Sequence, residues 1–191
     1  DATAYSGNVT VASVFSTSII AYSNNPTLHL RANGLNDNSA QTLTFKNGLQ
    51  GANSPNLTID VDRQGGTGTS KTIALTGASI GINTITTITG GDGYMLQLGS
   101  LTLGGSTAGA ITIAPMSASI SLTAVTTTNT ASPSLALGGT ISGNFVTGAI
   151  IDHVSTGSTS VQKISTSTWT FQGSNTYSGG TSVAGGTLLI N

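Results

Sequence analysis

One short unit recurs along the sequence, in which apolar residues alternate with single small or polar residues. Clear copies are Leu28-His29-Leu30, Leu43-Thr44-Phe45, Leu57-Thr58-Ile59-Asp60-Val61, Ile73-Ala74-Leu75, Leu101-Thr102-Leu103, Ile111-Thr112-Ile113, Ile120-Ser121-Leu122 and Leu135-Ala136-Leu137. Successive side chains of a strand point to opposite faces, so each copy predicts a short strand with one buried face. Glycine pairs such as Gly90-Gly91 and Gly138-Gly139 stand between copies and provide tight turns. We therefore predict an all-β chain of many short strands.

The composition favours strands over helices and over disorder. Ser and Thr together account for 58 of the 191 residues and Gly for another 26, so good helix formers are scarce. Disordered chains combine low hydrophobicity with a high net charge. This chain is 37% apolar, only 6% of its residues are charged, and its net charge is -1. The chain therefore contains enough apolar residues to form a buried core.

A solenoid explains the pattern better than a sandwich or a barrel does. Aromatic residues, which normally anchor a sandwich core, make up 5% of the chain and include one Trp, Trp169. Thr and Ser dominate the outward positions, where coils about 4.8 Å apart can stack like residues above like. Residues 5–11 also resemble residues 177–183. We predict one parallel β-helix, or β-solenoid, domain over residues 1–191, with about nine or ten coils of about 20 residues.

The C-terminal segment 169–191 carries a recognisable motif. It consists of Trp169-Thr170-Phe171, Gly173, Asn175-Thr176-Tyr177-Ser178-Gly179-Gly180-Thr181, Val183, Gly186-Thr187-Leu188 and Asn191. The pattern resembles the autotransporter-associated β-strand repeat, also called the passenger-associated transport repeat, and residues 161–168 look like the strand that often precedes it. The resemblance implies a right-handed parallel β-helix in an exported bacterial passenger, built as a stalk or adhesive rod rather than as a catalyst. We expect the motif's three strands, in about 22 residues, to make one coil.

Several classes of partner and cofactor are not expected. The near-zero net charge lacks the basic surface that binds nucleic-acid phosphates or anionic lipids. No apolar run approaches the roughly 18 residues that span a bilayer. Cys is absent, which removes disulfides, thiolate catalysis and Cys-based zinc sites. We expect no cofactor, no nucleic acid and no membrane insertion, and the resemblance favours an extracellular or cell-surface location on a bacterium.

Asp60 and Asp62 are the strongest candidates for chemistry. They lie two residues apart on the outer face of a predicted strand, a spacing that suits calcium binding or acid/base hydrolysis of a polysaccharide. The chain has no Glu and few other Asp to complete such a site. We therefore interpret them as a surface pair, partly neutralised by Arg63 or Lys71, and predict that the protein is not an enzyme.

One short run and two histidines are weaker candidates for a functional site. The run Gly90-Gly91-Asp92-Gly93-Tyr94-Met95 is similar to a calcium-binding nonapeptide, but Met95 stands where that motif needs Asp. His29 and His153 are interpreted as surface or loop-packing histidines.

The preferred function is structural. An open solenoid coil exposes unpaired backbone groups and an apolar interior, so we expect either a piece of a longer helix or ends that dock on other copies. Our first hypothesis is a non-enzymatic subunit that stacks head to tail into a surface filament or matrix fibre. Its assembly interface would consist of Tyr5, Val9, Val11, Leu188, Leu189 and Ile190.

Two alternatives stay open. One is a monomeric adhesin segment whose loops near residues 33–40 or 126–134 bind carbohydrate or a host surface. The weaker one is a β-helical enzyme that degrades polysaccharide through Asp60 and Asp62.

Overall fold

The computed structural model describes residues 27–33, 40–41, 56–65 and 69–191. All regular elements in these ranges are strands, which confirms the all-β prediction. The strands are β1 (Thr27–Asn33), β2 (Ala40–Gln41), β3 (Leu57–Gly65), β4 (Thr72–Ile80), β5 (Thr84–Gly90), β6 (Met95–Leu103), β7 (Ala110–Pro115), β8 (Ser119–Thr127), β9 (Ser134–Leu137), β10 (Asn144–Val146), β11 (Ser160–Lys163), β12 (Thr168–Phe171), β13 (Thr181–Val183) and β14 (Thr187–Ile190). That residues 1–191 form a single domain stays a prediction.

The strands form two parallel sheets of seven strands each. The first sheet contains the odd-numbered strands in the order β1-β3-β5-β7-β9-β11-β13, and the second contains the even-numbered strands in the order β14-β12-β10-β8-β6-β4-β2. Each coil therefore gives one strand to each sheet, and the chain advances by about 4.8 Å per coil. This arrangement is a β-solenoid, which confirms the prediction made from the scarcity of aromatic residues and the outward Thr and Ser positions.

The predicted coil length is too short for most of the stack. Leu28 pairs with Ile59 in the next coil, and Thr84 pairs with Ile111, so both of these coils are clearly longer than predicted. Only the last coil has the predicted length, since Val161 pairs with Thr181. Longer coils mean fewer of them, and the residues that the structure describes contribute seven strands to each sheet, where nine or ten coils are predicted for the whole chain. The strands contain the same periodic pattern throughout, and the difference comes from the connections between them.

The prediction that three strands of the motif make one coil is also wrong. Trp169 of β12 pairs with Leu188 of β14, so these two strands are neighbours in the second sheet and belong to successive coils. β13 lies in the first sheet, where Thr181 pairs with Val161 of β11. One coil of the motif therefore contains two strands, one in each sheet.

Ladders of apolar side chains fill the space between the two sheets. Leu75, Leu98, Leu122, Val146 and Phe171 occupy successive positions of one such ladder, and all five are buried. Burying a side chain of this size contributes about 1.5–3 kcal/mol. The predicted triplets supply the inward residues of β3, β4, β6, β7, β8 and β9, whereas Leu43-Thr44-Phe45 lies outside the described residues.

Hydroxyl side chains stack on the outside, as expected. Ser79, Thr102 and Thr126 lie at paired positions on three successive strands, and the Oγ1 atoms of Thr102 and Thr126 are 3.3 Å apart. Thr58 pairs with Thr87 in the other sheet. Uncharged residues can stack in this way without repulsion, whereas like charges at paired positions would repel each other. This difference explains why charged residues are rare on the strands.

Candidate functional site

The Asp60 carboxylate lies on the outer face of the first sheet, inside a small polar cluster. Its Oδ1 atom accepts a hydrogen bond from the Thr89 hydroxyl at 2.7 Å. Its Oδ2 atom forms an ion pair with the guanidinium of Arg31 and lies 3.0 Å from His29 Nδ1. Both oxygens of Asp60 are therefore already engaged by side chains of neighbouring coils.

These contacts determine the charge state of Asp60. Partial burial opposes ionisation, but the hydrogen bonds from Thr89, Arg31 and His29, together with the charge of Arg31, outweigh it and hold the pKa of Asp60 below its ordinary value. Asp60 is therefore an ionised partner of Arg31 at neutral pH. A general acid would need the opposite shift, towards a higher pKa.

The predicted neutralisation of this region by Arg63 or Lys71 needs a correction. Arg63 forms its ion pair with Asp92, where Nε and Oδ2 are 2.7 Å apart, and the cation beside Asp60 is Arg31, one coil away. Asp62 Oδ1 accepts the backbone N–H of Arg63 at 2.8 Å. The partners follow from the register between coils rather than from nearness in sequence.

The polar cluster does not fit a calcium site. Calcium requires six to eight oxygen ligands, whereas the Asp60 oxygens already accept side-chain donors. Within the described ranges, no group of three or more His, Cys, Asp or Glu side chains lies close enough to hold a metal ion. The hypotheses of calcium binding and polysaccharide hydrolysis therefore receive no support from this geometry.

The sequence also contains a serine motif, whose position in the fold differs from that of a hydrolase nucleophile. The run Gly77-Ala78-Ser79-Ile80-Gly81 has the Gly-x-Ser-x-Gly spacing of a hydrolase nucleophile. That motif acts on a sharp turn between a strand and a helix. Ser79 lies inside β4 instead, where it pairs with Thr102 of β6. His153 packs its loop as expected, because its Nδ1 lies 3.3 Å and 3.2 Å from the backbone nitrogens of Ser155 and Thr156.

Side-chain hydrogen bonds join the corners of the motif segment to the preceding coil. Asn175 Oδ1 accepts the backbone N–H of Ile150 at 2.9 Å. The carboxylate of Asp152 accepts the backbone N–H groups of Thr159 at 2.6 Å and Ser178 at 3.0 Å. Burial opposes ionisation of Asp152, yet these hydrogen bonds lower its pKa. Sequence reasoning found Asn175 but missed Asp152, because the bond that gives it a role reaches Ser178 in the next coil.

The terminal coil, β13 and β14, presents an apolar face. Val183 lies above Lys163, Leu188 above Trp169 and Ile190 above Phe171, so these side chains continue the interior ladders. Leu188 is half-buried, whereas Val183 is 56% exposed and Ile190 is 68% exposed. Leu189 points outward above Thr170 and is 46% exposed.

The predicted assembly residues fall into two groups. The structure brings Leu188, Leu189 and Ile190 together on β14, the outermost strand of its sheet among the described residues. Tyr5, Val9 and Val11 lie outside the described residues. The loop 126–134, proposed as a binding loop, is described and is organised around the buried Asn129.

No helix long and apolar enough to cross a membrane is present among residues 27–33, 40–41, 56–65 and 69–191.

Comparison with known protein families gives a match for the C-terminal part of the chain. Residues 161–190 match the family model of the passenger-associated-transport-repeat, which confirms the resemblance seen in the motif. No curated protein and no solved structure matches the chain. That family is a structural passenger repeat and not a known enzyme family. The matched repeat and the β-solenoid fold together fit an autotransporter passenger-type repeat protein.

Proposed function

We propose that this chain is a non-enzymatic structural subunit of the bacterial exterior that stacks head to tail on further copies of itself. The matched repeat family suggests a secreted or cell-surface bacterial protein, which supports the location. The observation that carries the stacking proposal is that Val183 of β13 and Ile190 of β14 continue the interior ladders, so their coil presents an apolar face that a further coil of the same kind would fit.

The geometry of the terminal coil favours another coil as its partner. The outer edges of β13 and β14 each present a row of backbone groups in the parallel orientation of their sheets. An added coil would extend both ladders and bury the interior face at the same time. Because all strands in each sheet are parallel, the added coil enters in the same direction, and repetition of this contact produces an open filament rather than a closed dimer.

The short edges set the strength of this contact. β13 has three residues and β14 has four, so the new ladders contribute few hydrogen bonds. Most of the stabilisation comes from covering Val183, Leu188 and Ile190, at about 25 cal/mol for each Å² of apolar surface removed from water. Assembly is therefore expected to depend strongly on concentration.

Electron microscopy of the native protein near neutral pH tests the proposal, with Ile190→Pro and Leu188→Lys as interface variants. We expect uniform fibres for the unaltered chain and folded monomers for both variants. The N–H groups of Thr187 and Asn191 donate to the preceding coil, so the alternate N–H of Ile190 lies on the open edge, where Pro removes it, and Lys at position 188 brings a charge to the apolar face. Val154→Lys is the matched control, since Val154 is 91% exposed in a loop outside β13 and β14. Unchanged polymerisation of both interface variants would refute the proposal.

A mixing experiment separates head-to-tail growth from other modes of association. An Ile190→Pro subunit is changed only at the outer edge of β14 and is unaltered in the rest of the chain, so a small fraction of it should stop fibre growth and shorten the fibres. In a symmetric dimer it would only reduce the amount of dimer in proportion to its concentration.

A second candidate function is the binding of surface carbohydrate through the loop 126–134. The buried side chain of Asn129 holds this loop, because its Nδ2 donates to Thr107 O at 2.9 Å and its Oδ1 accepts the N–H of Ala131 at 2.7 Å. Thr128, Thr130 and Ser132 are exposed around it. Specific retention on a glycan array, lost in Asn129→Ala, would support this function, and uniform absence of retention would exclude it.

A further inference from the structure

Lys163 is a charged residue in an apolar position. It faces the interior from β11, with Leu137 on the neighbouring strand below and Val183 on the strand above. Its side chain has no exposed surface, and it is the only charged residue buried within the described part of the chain. A buried ammonium group is unfavourable unless hydrogen-bond acceptors surround it.

The acceptors around the Lys163 ammonium group are all backbone carbonyl oxygens. Nζ donates to Ile164 O, to Ser165 O at 3.2 Å and to Gly185 O at 3.1 Å. None of the ion pairs in the described ranges involves Lys163. Burial accordingly lowers the pKa of Lys163.

The corner between β13 and β14 is wrapped closely around this group. Gly186 has a φ of +66°, and a Cβ atom at this position would lie 2.7 Å from Nζ and 2.6 Å from Ser165 O. Ile164 and Ser165 belong to the coil of Lys163, whereas Gly185 belongs to the terminal coil. The ammonium group therefore links the two coils at the corner that precedes β14.

We propose that these carbonyl oxygens form an internal cation site, which the chain fills with its own ammonium group, and that filling this site attaches the terminal coil to the solenoid. Carbonyl oxygens at this spacing suit a compact monovalent cation, because they bring no negative charge to balance a divalent ion. The site takes an ammonium-class ligand with N–H donors directed at three acceptors. The proposal rests on the contacts of Lys163 and is independent of the proposed filament.

Hydrogen exchange in the monomer tests the role of the charge. Lys163→Met keeps the length and apolar volume of the side chain but removes the ammonium group. The reporters are the amides that join the terminal coil to the coil below, namely those of Ala184, Thr187 and Asn191. We expect these three amides to lose about a hundredfold in protection, while the distant amides of Gly104 and Thr128 stay unchanged.

Gln162→Met is the matched control, because Gln162 is the neighbouring residue on the same strand and its side chain is exposed. It should leave all five amides unchanged. Protection in Lys163→Met equal to that of the unaltered chain would overturn the proposal, because Lys163 would then contribute only volume.

Chemical rescue tests the site itself and stays informative if Lys163→Met fails to fold. Lys163→Ala leaves room for n-propylammonium, which has the four non-hydrogen atoms that the substitution removes. At equal ionic strength, n-propylammonium should restore protection of the three reporter amides at least tenfold. Tetramethylammonium, which has the charge without N–H donors, and the neutral 1-propanol should not. Equal recovery with 1-propanol, or no recovery with n-propylammonium, would overturn the proposal.

Discussion

Two coils approach each other closely at the backbone of Gly173, so Gly173→Ala is a sharp test of how the coils stack. A Cβ atom on Gly173 would lie 2.8 Å from Gly148 Cα and closer still to the Gly148 carbonyl group. Gly148 is one coil below and is itself closely packed on Thr123. Ordinary contacts between carbon atoms begin at about 3.5 Å, so the coils would have to separate by about 1 Å.

The energetic consequence follows from the bonds on either side of this contact. Gln172 N donates to Val146 O at 2.9 Å, and Ile150 N donates to Asn175 Oδ1 at 2.9 Å. Separating the coils stretches both bonds, each worth about 1 kcal/mol, and adds an overpacking penalty of about 1–3 kcal/mol. We expect Gly173→Ala to lower the free energy of unfolding by about 3 to 5 kcal/mol.

Gly143→Ala separates this steric effect from backbone strain. Gly143 has a φ of +81° and nothing within 4 Å of its Cβ position, so its substitution should cost only about 1–2 kcal/mol of conformational strain. Urea unfolding followed by the fluorescence of Trp169, the single Trp, measures both variants. If Gly173→Ala proves no more destabilising than Gly143→Ala, the close approach of the coils would be wrong.

Two further perturbations address the polar cluster and the core. Because its contacts lower the pKa of Asp60 in the folded state, they contribute stability above the unfolded value of about 4 that is lost as the pH falls through the lower folded value. Urea unfolding between pH 7 and pH 2.5 should therefore show an acid-induced loss on the order of 1 kcal/mol that is absent in Asp60→Asn, and identical pH profiles would contradict this account. Trp169→Phe should cost less than about 2 kcal/mol and Trp169→Ala about 3–5 kcal/mol by thermal unfolding, because Gly138 O keeps the 2.5 Å hydrogen bond from Ser167 when the indole N–H is lost. Equal losses in the two Trp169 variants would show that the indole hydrogen bond, rather than packing, dominates.

The strands were predictable because their signal is local. Segments such as Ile111-Thr112-Ile113 lie inside observed strands, since an alternating pattern directly records which side chains are buried. The motif at 169–191 was equally readable, because its glycine spacing and aromatic residues lie within a short continuous segment.

The register between coils was not predictable, and the errors follow from it. No local pattern measures how many residues each connection absorbs, so the long coil that joins Leu28 to Ile59 could not be distinguished from a short one. Because the register was unknown, the neutralising role at Asp60 was assigned to Arg63 or Lys71, which are near in sequence, instead of Arg31, which is near in space. Lys163 was hidden for the same reason, because its acceptor Gly185 lies in the next coil.

The strands become shorter towards the C-terminal coils, and this change determines which contacts hold each coil in place. β3, β4, β6 and β8 have nine residues each, whereas β11 to β14 have three or four. Backbone ladders therefore hold the early coils together, while the late coils have far fewer ladder bonds and depend more on side chains such as Trp169 and Lys163. A coil attached mainly through a few interior contacts can be ordered while its upper face remains apolar and open. On the proposed function, those interior contacts present Val183 and Ile190 to the next copy, so weakening Lys163 should weaken assembly even though Lys163 itself never touches the added coil.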